Sequence, residues 1–155
     1  MIHTLTVTPI GTVRNSRKKP VDDGWDAIES RIELDDNQFG PGALAGLDSF
    51  SHIEVVFAFH LVKDNKVNTG ARHPRGREDW PKVGIFAQRS KDRPNKLGLC
   101  ACQLVGVKGT TLIVRGLDAI DGTPVLDIKP YMKGFAPRGE IREPAWAREI
   151  MHEYW

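Results

Sequence analysis

Two strand-like runs joined by a tight turn constrain the fold of this chain more than any other feature. Residues 99–107 and 111–114 are rich in apolar and β-branched side chains, and Lys108-Gly109 follows the first run. A glycine-containing pair between two such runs is typical of a β-hairpin. Further strand-like runs lie at residues 5–13, 31–34, 53–59, 83–87 and 125–128. About seven short strands with Gly- and Pro-containing turns predict a mainly β domain, either a barrel or a sandwich.

Some of these runs and the helical segments carry more specific expectations. The run at 53–59 is almost continuously apolar, which predicts a strand buried on both faces. Pro9 lies within the first run, and a proline there favours an edge strand or a bulge. Short helices are predicted at 41–48 and at the C-terminus over 144–153, with Pro144 in the first turn of the latter. One face of the C-terminal helix is expected to be apolar through Trp146, Ile150 and Met151.

Composition places the chain among ordinary globular domains. It has 155 residues, of which 40% are hydrophobic and 27% are charged, and a formal net charge of +2. This length fits one domain over residues 1–155, and the composition excludes a disordered tail, a collagen-like repeat and a coiled coil. No apolar run approaches the roughly 18 residues of a membrane helix, and the first residues lack the pattern of a signal peptide. We expect no membrane association and a cytoplasmic location.

The two cysteines, Cys100 and Cys102, are separated by one residue. On a strand they would share one face, which is too close for an ordinary disulfide framework. We interpret them as small buried residues in a reducing compartment. A metal site would need further Cys or His at ligand spacing, and none lies nearby in the sequence, so no metal is expected.

Residues 88–98 form the densest cluster of polar and basic side chains. Arg89 and Arg93 within it can hold a carboxylate or a phosphate through paired hydrogen bonds. The alternative interpretation is a solvated turn between two strands. The preceding residues 63–81 combine many charges with few apolar side chains, and a loop of that length is either mobile or functional.

A second polar cluster lies at residues 116–131, where three aspartates, a lysine and two prolines surround a strand. Turn chemistry accounts for much of it, because Asp and Gly are common turn residues. Asp127 is different because it interrupts an apolar strand. A carboxylate there is expected to be paired, for example with Lys129 or an arginine, or to be poised for function. His60, at the end of the 53–59 run, is interpreted as a hydrogen-bonded residue of the core or rim.

Five segments of the chain together resemble a known protein family. They are Pro9–Arg14, Leu47–Ile53, Gly84–Ser90, Arg93–Asn95 and Asp121–Tyr131. In this order and at this spacing they resemble the TsaA-like (TrmO) family, over about residues 8–135. Three places depart from the pattern usual in that family: Gln88 stands where Thr is common, Lys96 stands where Pro is common, and residues 22–26 differ.

The resemblance implies a small β-barrel that forms homodimers and binds S-adenosyl-L-methionine (SAM) without a Rossmann domain. It also implies methylation of N6 of threonylcarbamoyl-adenosine at position 37 of certain tRNAs. The residues that the resemblance assigns to SAM binding are Asp23, Gly24, Trp25, Phe59, His60, Arg89, Leu99, Arg115, Gly116, Leu117 and Asp118.

The chemistry of SAM gives some of these residues expected roles. Asp118 could bind the ribose hydroxyls or the amino group, and Arg89 could clamp the carboxylate tail. Methyl transfer depends on alignment of the acceptor with the sulfonium. The acceptor nitrogen must also lose a proton, for which His60, Asp127 and Tyr131 are the candidate general bases. No metal is needed for this chemistry.

Three functions are open at this point. The first is a SAM-dependent tRNA methyltransferase, with basic residues of the 63–96 segment following the phosphates. The second is methylation of a small molecule or another adenosine derivative, because family members with the tRNA activity usually carry an additional C-terminal domain and this sequence ends at Trp155. The third is a non-catalytic module that senses SAM or docks a protein.

Overall fold

Six strands of this chain close into a barrel. The structure, a computed structural model, describes residues 2–155. Eight strands lie within these residues: β1 (Gly11–Arg14), β2 (Glu29–Leu34), β3 (His52–Ala58), β4 (Ala71–Arg72), β5 (Val83–Gly84), β6 (Leu97–Lys108), β7 (Thr111–Arg115) and β8 (Pro124–Pro130). The barrel order is β1-β2-β7-β6-β3-β8, and β4 pairs with β5 in a separate two-stranded sheet. The prediction of a mainly β barrel with few short helices is confirmed.

The predicted hairpin consists of β6 and β7. Lys108 pairs with Thr111, so the connecting residues are Gly109 and Thr110, one position later than predicted. Gly109 has a φ of +60°, a left-handed conformation that suits a two-residue hairpin loop and that glycine adopts at little steric cost. Because β6 also pairs with β3 along the whole of that strand, it forms the central part of the wall.

Buried and exposed residues alternate along β6. Cys100 and Cys102 both point inward, are buried and form no disulfide, which confirms their interpretation as buried core residues. Burial raises the pKa of both thiols, that of Cys102 to about 12, and the nearby charge of Asp118 adds to the effect. Each of the six barrel strands contributes at least one side chain to the same core cluster.

The prediction that residues 53–59 are buried on both faces is wrong. Along β3, buried residues on the inner face alternate with half-buried residues on the outer face. The reason is that a barrel has a single interior, so each wall strand turns only one face toward the core. Phe57 fills part of that interior, and a Cβ added at Gly98 would lie 2.4 Å from its ring. Phe57 therefore requires a glycine opposite it on β6.

The first strand is shorter than the predicted run of 5–13, because β1 begins only at Gly11. Residues 2–9 are exposed and belong to no regular element. Pairing begins where the amide of Ile10 donates to the carbonyl of Val125 over 2.8 Å. Pro9 lies just outside that ladder, where its missing N–H costs nothing.

Short 3-10 turns make up most of two other segments that were predicted to be regular elements. The run at 83–87 contains only the two residues of β5, followed by a turn at Ile85–Ala87. The predicted helix at 41–48 consists of two separate turns, Pro41–Leu44 and Leu47–Ser49. Gly46 between them has a φ of +83°, which an α-helix does not accommodate. Further 3-10 turns lie at Asp64–Lys66, Pro74–Gly76, Pro94–Lys96 and Lys133–Phe135.

The C-terminal helix is present but shorter than predicted. Helix α1 spans Ala145–Ile150, and Pro144 is its extended N-cap residue rather than part of its first turn. Trp146 and Ile150 are half-buried, whereas Met151 is exposed, so the apolar face is narrower than expected. Within residues 2–155, no helix has the length and apolar character that crossing a membrane requires.

Candidate functional site

The segment after β7 closes one end of the barrel. Gly116, Leu117 and Ala119 are buried there, and the φ of +75° at Gly116 turns the chain away from the wall. The Cys100 thiol donates to the carbonyl oxygen of Gly116 over 3.3 Å, which ties the segment to β6. This turn holds the Asp118 side chain beside the end of the core.

The Asp118 carboxylate is only half satisfied. Its Oδ2 accepts a hydrogen bond from the Tyr154 hydroxyl at 2.5 Å. Its Oδ1 is buried, and no group within residues 2–155 donates a hydrogen bond to it. A buried acceptor without a donor costs roughly 1–3 kcal/mol. Oδ1 is therefore a position where a donor group of a ligand would be stabilised.

The groups around Asp118 are held in their neutral forms. Burial, and then the charge of Asp118, raises the pKa of Tyr154, while the positive charge of Arg89 acts in the opposite direction. Burial and the same carboxylate raise the pKa of the Cys100 thiol. Tyr154 therefore stays protonated near neutral pH and remains a donor to Asp118. Among residues 2–155, no group of three or more His, Cys, Asp or Glu side chains is arranged to hold a metal ion.

Arg89 lies close to this pair. Its Nη2 donates to the carbonyl oxygen of Leu99 over 2.5 Å, and its side chain is otherwise exposed. Leu99 is followed on β6 by Cys100, which contacts Gly116 two residues before Asp118, so Arg89 and Asp118 are anchored to neighbouring residues of β6. The remaining N–H groups of the guanidinium are suited to a carboxylate or phosphate. Arg89, Leu99 and Asp118, which the family resemblance assigned to SAM binding, thus lie in one region of the structure.

The loop at 23–25 reaches the same region through backbone contacts. The amides of Gly24 and Trp25 donate to the carbonyls of Glu153 and Tyr154, each over 3.0 Å. Arg17 supports the loop from below, with its guanidinium 4.3 Å from the centroid of the buried Trp25 ring. Both oxygens of the Asp23 carboxylate accept hydrogen bonds from Arg75, at 2.7 and 3.2 Å.

Phe59 and His60 follow directly on β3. Phe59 packs edge-on against Phe57, with 5.4 Å between ring centroids, and its amide donates to the carbonyl of Lys96 over 2.8 Å. His60 is exposed, and its Nε2 lies 3.8 Å from the position that a Cβ of Gly122 would take. His60 therefore belongs to the end of the wall where β6 begins and where the 121–123 turn precedes β8.

Two assigned residues face away from this region or lie far from it. Arg115 is exposed and pairs with Glu29 across 3.2 Å. The amide of Tyr131 donates to the carbonyl of His52 over 3.0 Å. His52 begins β3 and His60 follows its end, so Tyr131 and His60 lie at opposite ends of that strand.

Asp127 lies on the outer side of the wall beside Val56. It pairs with Lys129 across 2.5 Å and accepts a hydrogen bond from the amide of Ile128 over 2.9 Å. The prediction that this carboxylate is paired, with Lys129 as one partner considered, is confirmed. Asp127 also lines a cavity of about 470 Å³ between β8 and the 3-10 turns at 41–49. The other walls of that cavity are mainly apolar: Ile10, Leu34, Phe39, Leu44, Leu47, Phe50, Ile128 and Pro130.

Much of the positive charge at 63–96 is already paired. The salt bridges of this segment are Arg72–Asp92, Arg75–Asp23, Arg77–Asp79 and Lys96–Asp64. Within residues 2–155, Lys63, Lys66, Lys82 and Lys91 form no salt bridge. The cationic surface available to an anionic partner is therefore smaller than the sequence count indicates.

Sequence reasoning missed Tyr154, the one side chain that donates to Asp118. It lies in a polar C-terminal stretch outside every segment that carried the family resemblance, and a single tyrosine there gives no recognisable pattern. The contact depends on the turn after α1, which brings residues 153 and 154 against the loop at 23–25.

Comparisons with known proteins agree on one family. The model of the tRNA-methyltransferase O N-terminal domain matches residues 12–136. A Mus musculus protein named tRNA (adenine(37)-N6)-methyltransferase is 43% identical over 93 residues, which make up 60% of this chain and 21% of that protein. A Methanothermobacter thermautotrophicus protein named probable S-adenosyl-L-methionine-binding protein is 39% identical over 131 residues, covering 82% of this chain and 90% of that protein.

Solved structures give the same result. The crystal structure of TrmO from Pseudomonas aeruginosa superposes with a TM-score of 0.72 at 30% identity, over 90% of this chain and 62% of that one. The chain thus spans about a fifth of the Mus musculus protein and less than two thirds of the Pseudomonas structure. The matched residues include the barrel, Arg89, Leu99 and Asp118. The resemblance seen in the sequence is confirmed, and the chain belongs to the family of tRNA-methyltransferase O N-terminal domains.

Proposed function

We propose that this chain binds SAM at the Asp118 end of the barrel and methylates N6 of the adenosine at position 37 of tRNA, in its threonylcarbamoyl form. The observation that carries the proposal is the buried Oδ1 of Asp118, which has no donor within residues 2–155, in the same region as the exposed guanidinium of Arg89. A hydrogen-bond acceptor and a guanidinium cation in one region suit the amino-acid end of SAM, which offers an ammonium donor and a carboxylate. The names of the Mus musculus and Methanothermobacter relatives support the same ligand and reaction.

The residues of the site have distinct roles in this proposal. Asp118 accepts a hydrogen bond from the amino group or a ribose hydroxyl, and Arg89 binds the carboxylate. The backbone of residues 115–118 and the loop at 23–25 form the remaining walls, with Phe59 and Leu99 as apolar neighbours. SAM supplies a methyl group activated by its sulfonium. The chain contributes alignment of the acceptor with that methyl group, which accounts for a large share of the acceleration in such displacements.

The acceptor nitrogen must lose its proton during transfer, and we propose His60 as the general base. Its imidazole is exposed at the same end of the wall as the start of β6. An imidazole is suited to accept a proton near neutral pH. Asp127 is the second candidate, because it is next to Val56 on the outer face, and Val56 pairs with Leu99. Tyr131 is the least favoured because it lies at the other end of β3.

A tRNA acceptor and a second copy of the chain complete the proposal. Lys63, Lys66, Lys82 and Lys91 are the cations best able to contact phosphates, since they form no salt bridge within residues 2–155. The outer face of β6 exposes apolar Leu97, Leu99 and Val105, which supports a homodimer that covers this face. We place the protein in the cytoplasm, where its buried thiols stay reduced.

Calorimetric titration with SAM, followed by transfer of labelled methyl to unmodified and threonylcarbamoylated tRNA, tests the proposal. Arg89→Ala should weaken SAM binding about tenfold or more, since it removes a charge-assisted contact. Thr110→Val is the control. Thr110 lies in the distant β6–β7 turn, and the substitution removes a hydroxyl that donates to the carboxylate of Asp36. SAM binding together with N6-methyl product on tRNA would support the proposal.

Two other outcomes are equally informative. SAM binding without transfer to any tRNA would favour the second candidate, a SAM-binding protein like the Methanothermobacter relative of similar length. A folded protein that binds no SAM, with or without tRNA, would overturn both.

A further inference from the structure

The C-terminal segment, residues 145–155, contacts the candidate site although it lies outside the residues that the family model matches. It contains α1 and the turn that follows. Its last two residues, Tyr154 and Trp155, pack edge-on with 4.9 Å between ring centroids. The family model therefore does not account for what this segment does at the site.

Two loops fix the position of the C-terminal segment. The indole nitrogen of Trp80 donates to Glu149 over 2.6 Å, and the guanidinium of Arg77 lies 3.9 Å above the Trp80 ring. Farther along, the backbone bonds from residues 24 and 25 hold residues 153 and 154. These contacts hold the segment before and after the turn that follows α1. The backbone around Tyr154 is thereby fixed, with the hydroxyl directed at Asp118.

The hydroxyl of Tyr154 takes one carboxylate oxygen and leaves the other free. Within residues 2–155 no group is hydrogen-bonded to Oδ1, although the Cys100 thiol lies close enough to the Asp118 carboxylate for that charge to raise its pKa. Cys100 donates to the Gly116 carbonyl, Cys102 is a buried thiol, and Arg89 donates to Leu99. A carboxylate held at Oδ2 cannot rotate freely about its terminal bond. Oδ1 is therefore kept in one orientation before any ligand binds.

We propose that Tyr154 is a positioning residue of the SAM site, which holds the Asp118 carboxylate so that Oδ1 accepts a hydrogen bond from SAM. This inference rests on the proposed function, because it assumes that SAM is the ligand. Preorganisation of this kind strengthens binding by removing the cost of ordering the side chain on association.

The opposite role predicts the opposite sign. If the Tyr154 hydroxyl occupied the place of a ligand donor, removing it would tighten binding. The geometry favours positioning because the hydroxyl and the empty acceptor are on different oxygens of one carboxylate. A ligand donor at Oδ1 and Tyr154 at Oδ2 can be accommodated at the same time.

Titration of Tyr154→Phe with SAM tests the proposal. The variant keeps the ring and its packing and removes only the donor, so we expect SAM binding to weaken about tenfold, while Thr110→Val binds like the original chain. Thermal unfolding without SAM shows whether the variant is folded. In an Asp118→Ala background, which leaves no acceptor for the hydroxyl, Tyr154→Phe should add less than about twofold, because the pair acts as one unit.

Each possible result supports or overturns either the positioning role of Tyr154 or the proposed function. Weaker SAM binding by Tyr154→Phe that disappears in the Asp118→Ala background supports a positioning role, which a purely structural loss would not reproduce. Unchanged or tighter binding by Tyr154→Phe overturns it, and so do losses that simply add in the double variant. Failure of the original chain to bind SAM would instead overturn the proposed function, and Tyr154→Phe would then be irrelevant.

Discussion

Asp118 and Asp127 are two aspartates on the same stretch of chain, and the structure gives them opposite surroundings. Asp118 lies at the closed end of the barrel with one oxygen bonded to Tyr154 and the other buried without a donor. Asp127 lies on the outer face, paired with Lys129 and with the amide of Ile128. The sequence singled out Asp127 because its neighbours are apolar. The comparison shows that apolar sequence neighbours do not predict whether a carboxylate is buried or lacks a hydrogen-bond donor.

The largest expected effect is on SAM binding when Asp118 is removed. Asp118→Ala should lower the affinity by roughly 1.5–3 kcal/mol, the usual contribution of a hydrogen bond to a charged group. The measurement is calorimetric titration, with Asp127→Ala as the matched control. If both variants lost affinity equally, or only Asp127→Ala did, the contrast between the two aspartates would be wrong and the site would lie on the outer face.

The second prediction concerns the wall that supports the Asp118 end. Gly98→Ala should destabilise the fold by about 1–3 kcal/mol, because the new methyl group would collide with the Phe57 ring and overpack the core. Gly106, on the same strand, has no atom within 4 Å of an added Cβ, so Gly106→Ala should change stability little. Urea unfolding of both variants checks this. Equal losses would show that a general cost of adding a methyl group to β6, rather than the Phe57 contact, requires Gly98.

The fold was largely predictable because its signals are local. Period-two alternation predicts the hairpin of β6 and β7, the placement of the two cysteines on an inner face, and the strand at 31–34. The errors arise from features that local sequence patterns do not show. Closure into a barrel is a long-range property, so the sequence did not show that β3 has a single buried face. Likewise, Gly46 breaks the helix predicted at 41–48 only because of the conformation that the turn imposes.

The site was predictable where the family motifs reach. Arg89, Leu99 and Asp118 converge although they are far apart in the sequence, and only the resemblance indicated that they would. Tyr154 was missed because its contact depends on how the C-terminal turn docks on the loop at 23–25. The pairing of Arg75 with Asp23 was missed for the same reason, since it joins two loops with no periodic signal.

The third prediction concerns the buried thiols beside Asp118 and their pH dependence. Burial raises the pKa of Cys102 from an ordinary 9.0 to about 12. A raised pKa means that the neutral thiol is favoured in the folded state. This contribution to stability is complete below pH 9 and is lost as the pH rises toward 12. At pH 9.5 the loss should be about 1 kcal/mol for Cys102.

Unfolding measured between pH 8 and 10 provides the check. Cys102→Ala should show a shallower decline with pH than the original chain, whatever its absolute stability. A decline that is equally steep in the variant would assign the alkaline sensitivity to other groups, such as the Tyr154 phenol, whose pKa is also raised by burial and by Asp118.

The smallest effect is expected at Asp127. Its ion pair with Lys129 is solvent-exposed, and exposed pairs contribute little because water and salt screen them. Asp127→Asn keeps an oxygen that can accept from the Ile128 amide, so the midpoint of thermal unfolding should move by less than about 2 °C. SAM affinity should also stay within about twofold, since this carboxylate lies on the outer face of the wall and already has Lys129 and the Ile128 amide as partners. A clear loss of affinity in Asp127→Asn, with stability unchanged, would mean that the apolar cavity beside β8 receives part of the ligand, and the closed end of the barrel would then be only half of the site.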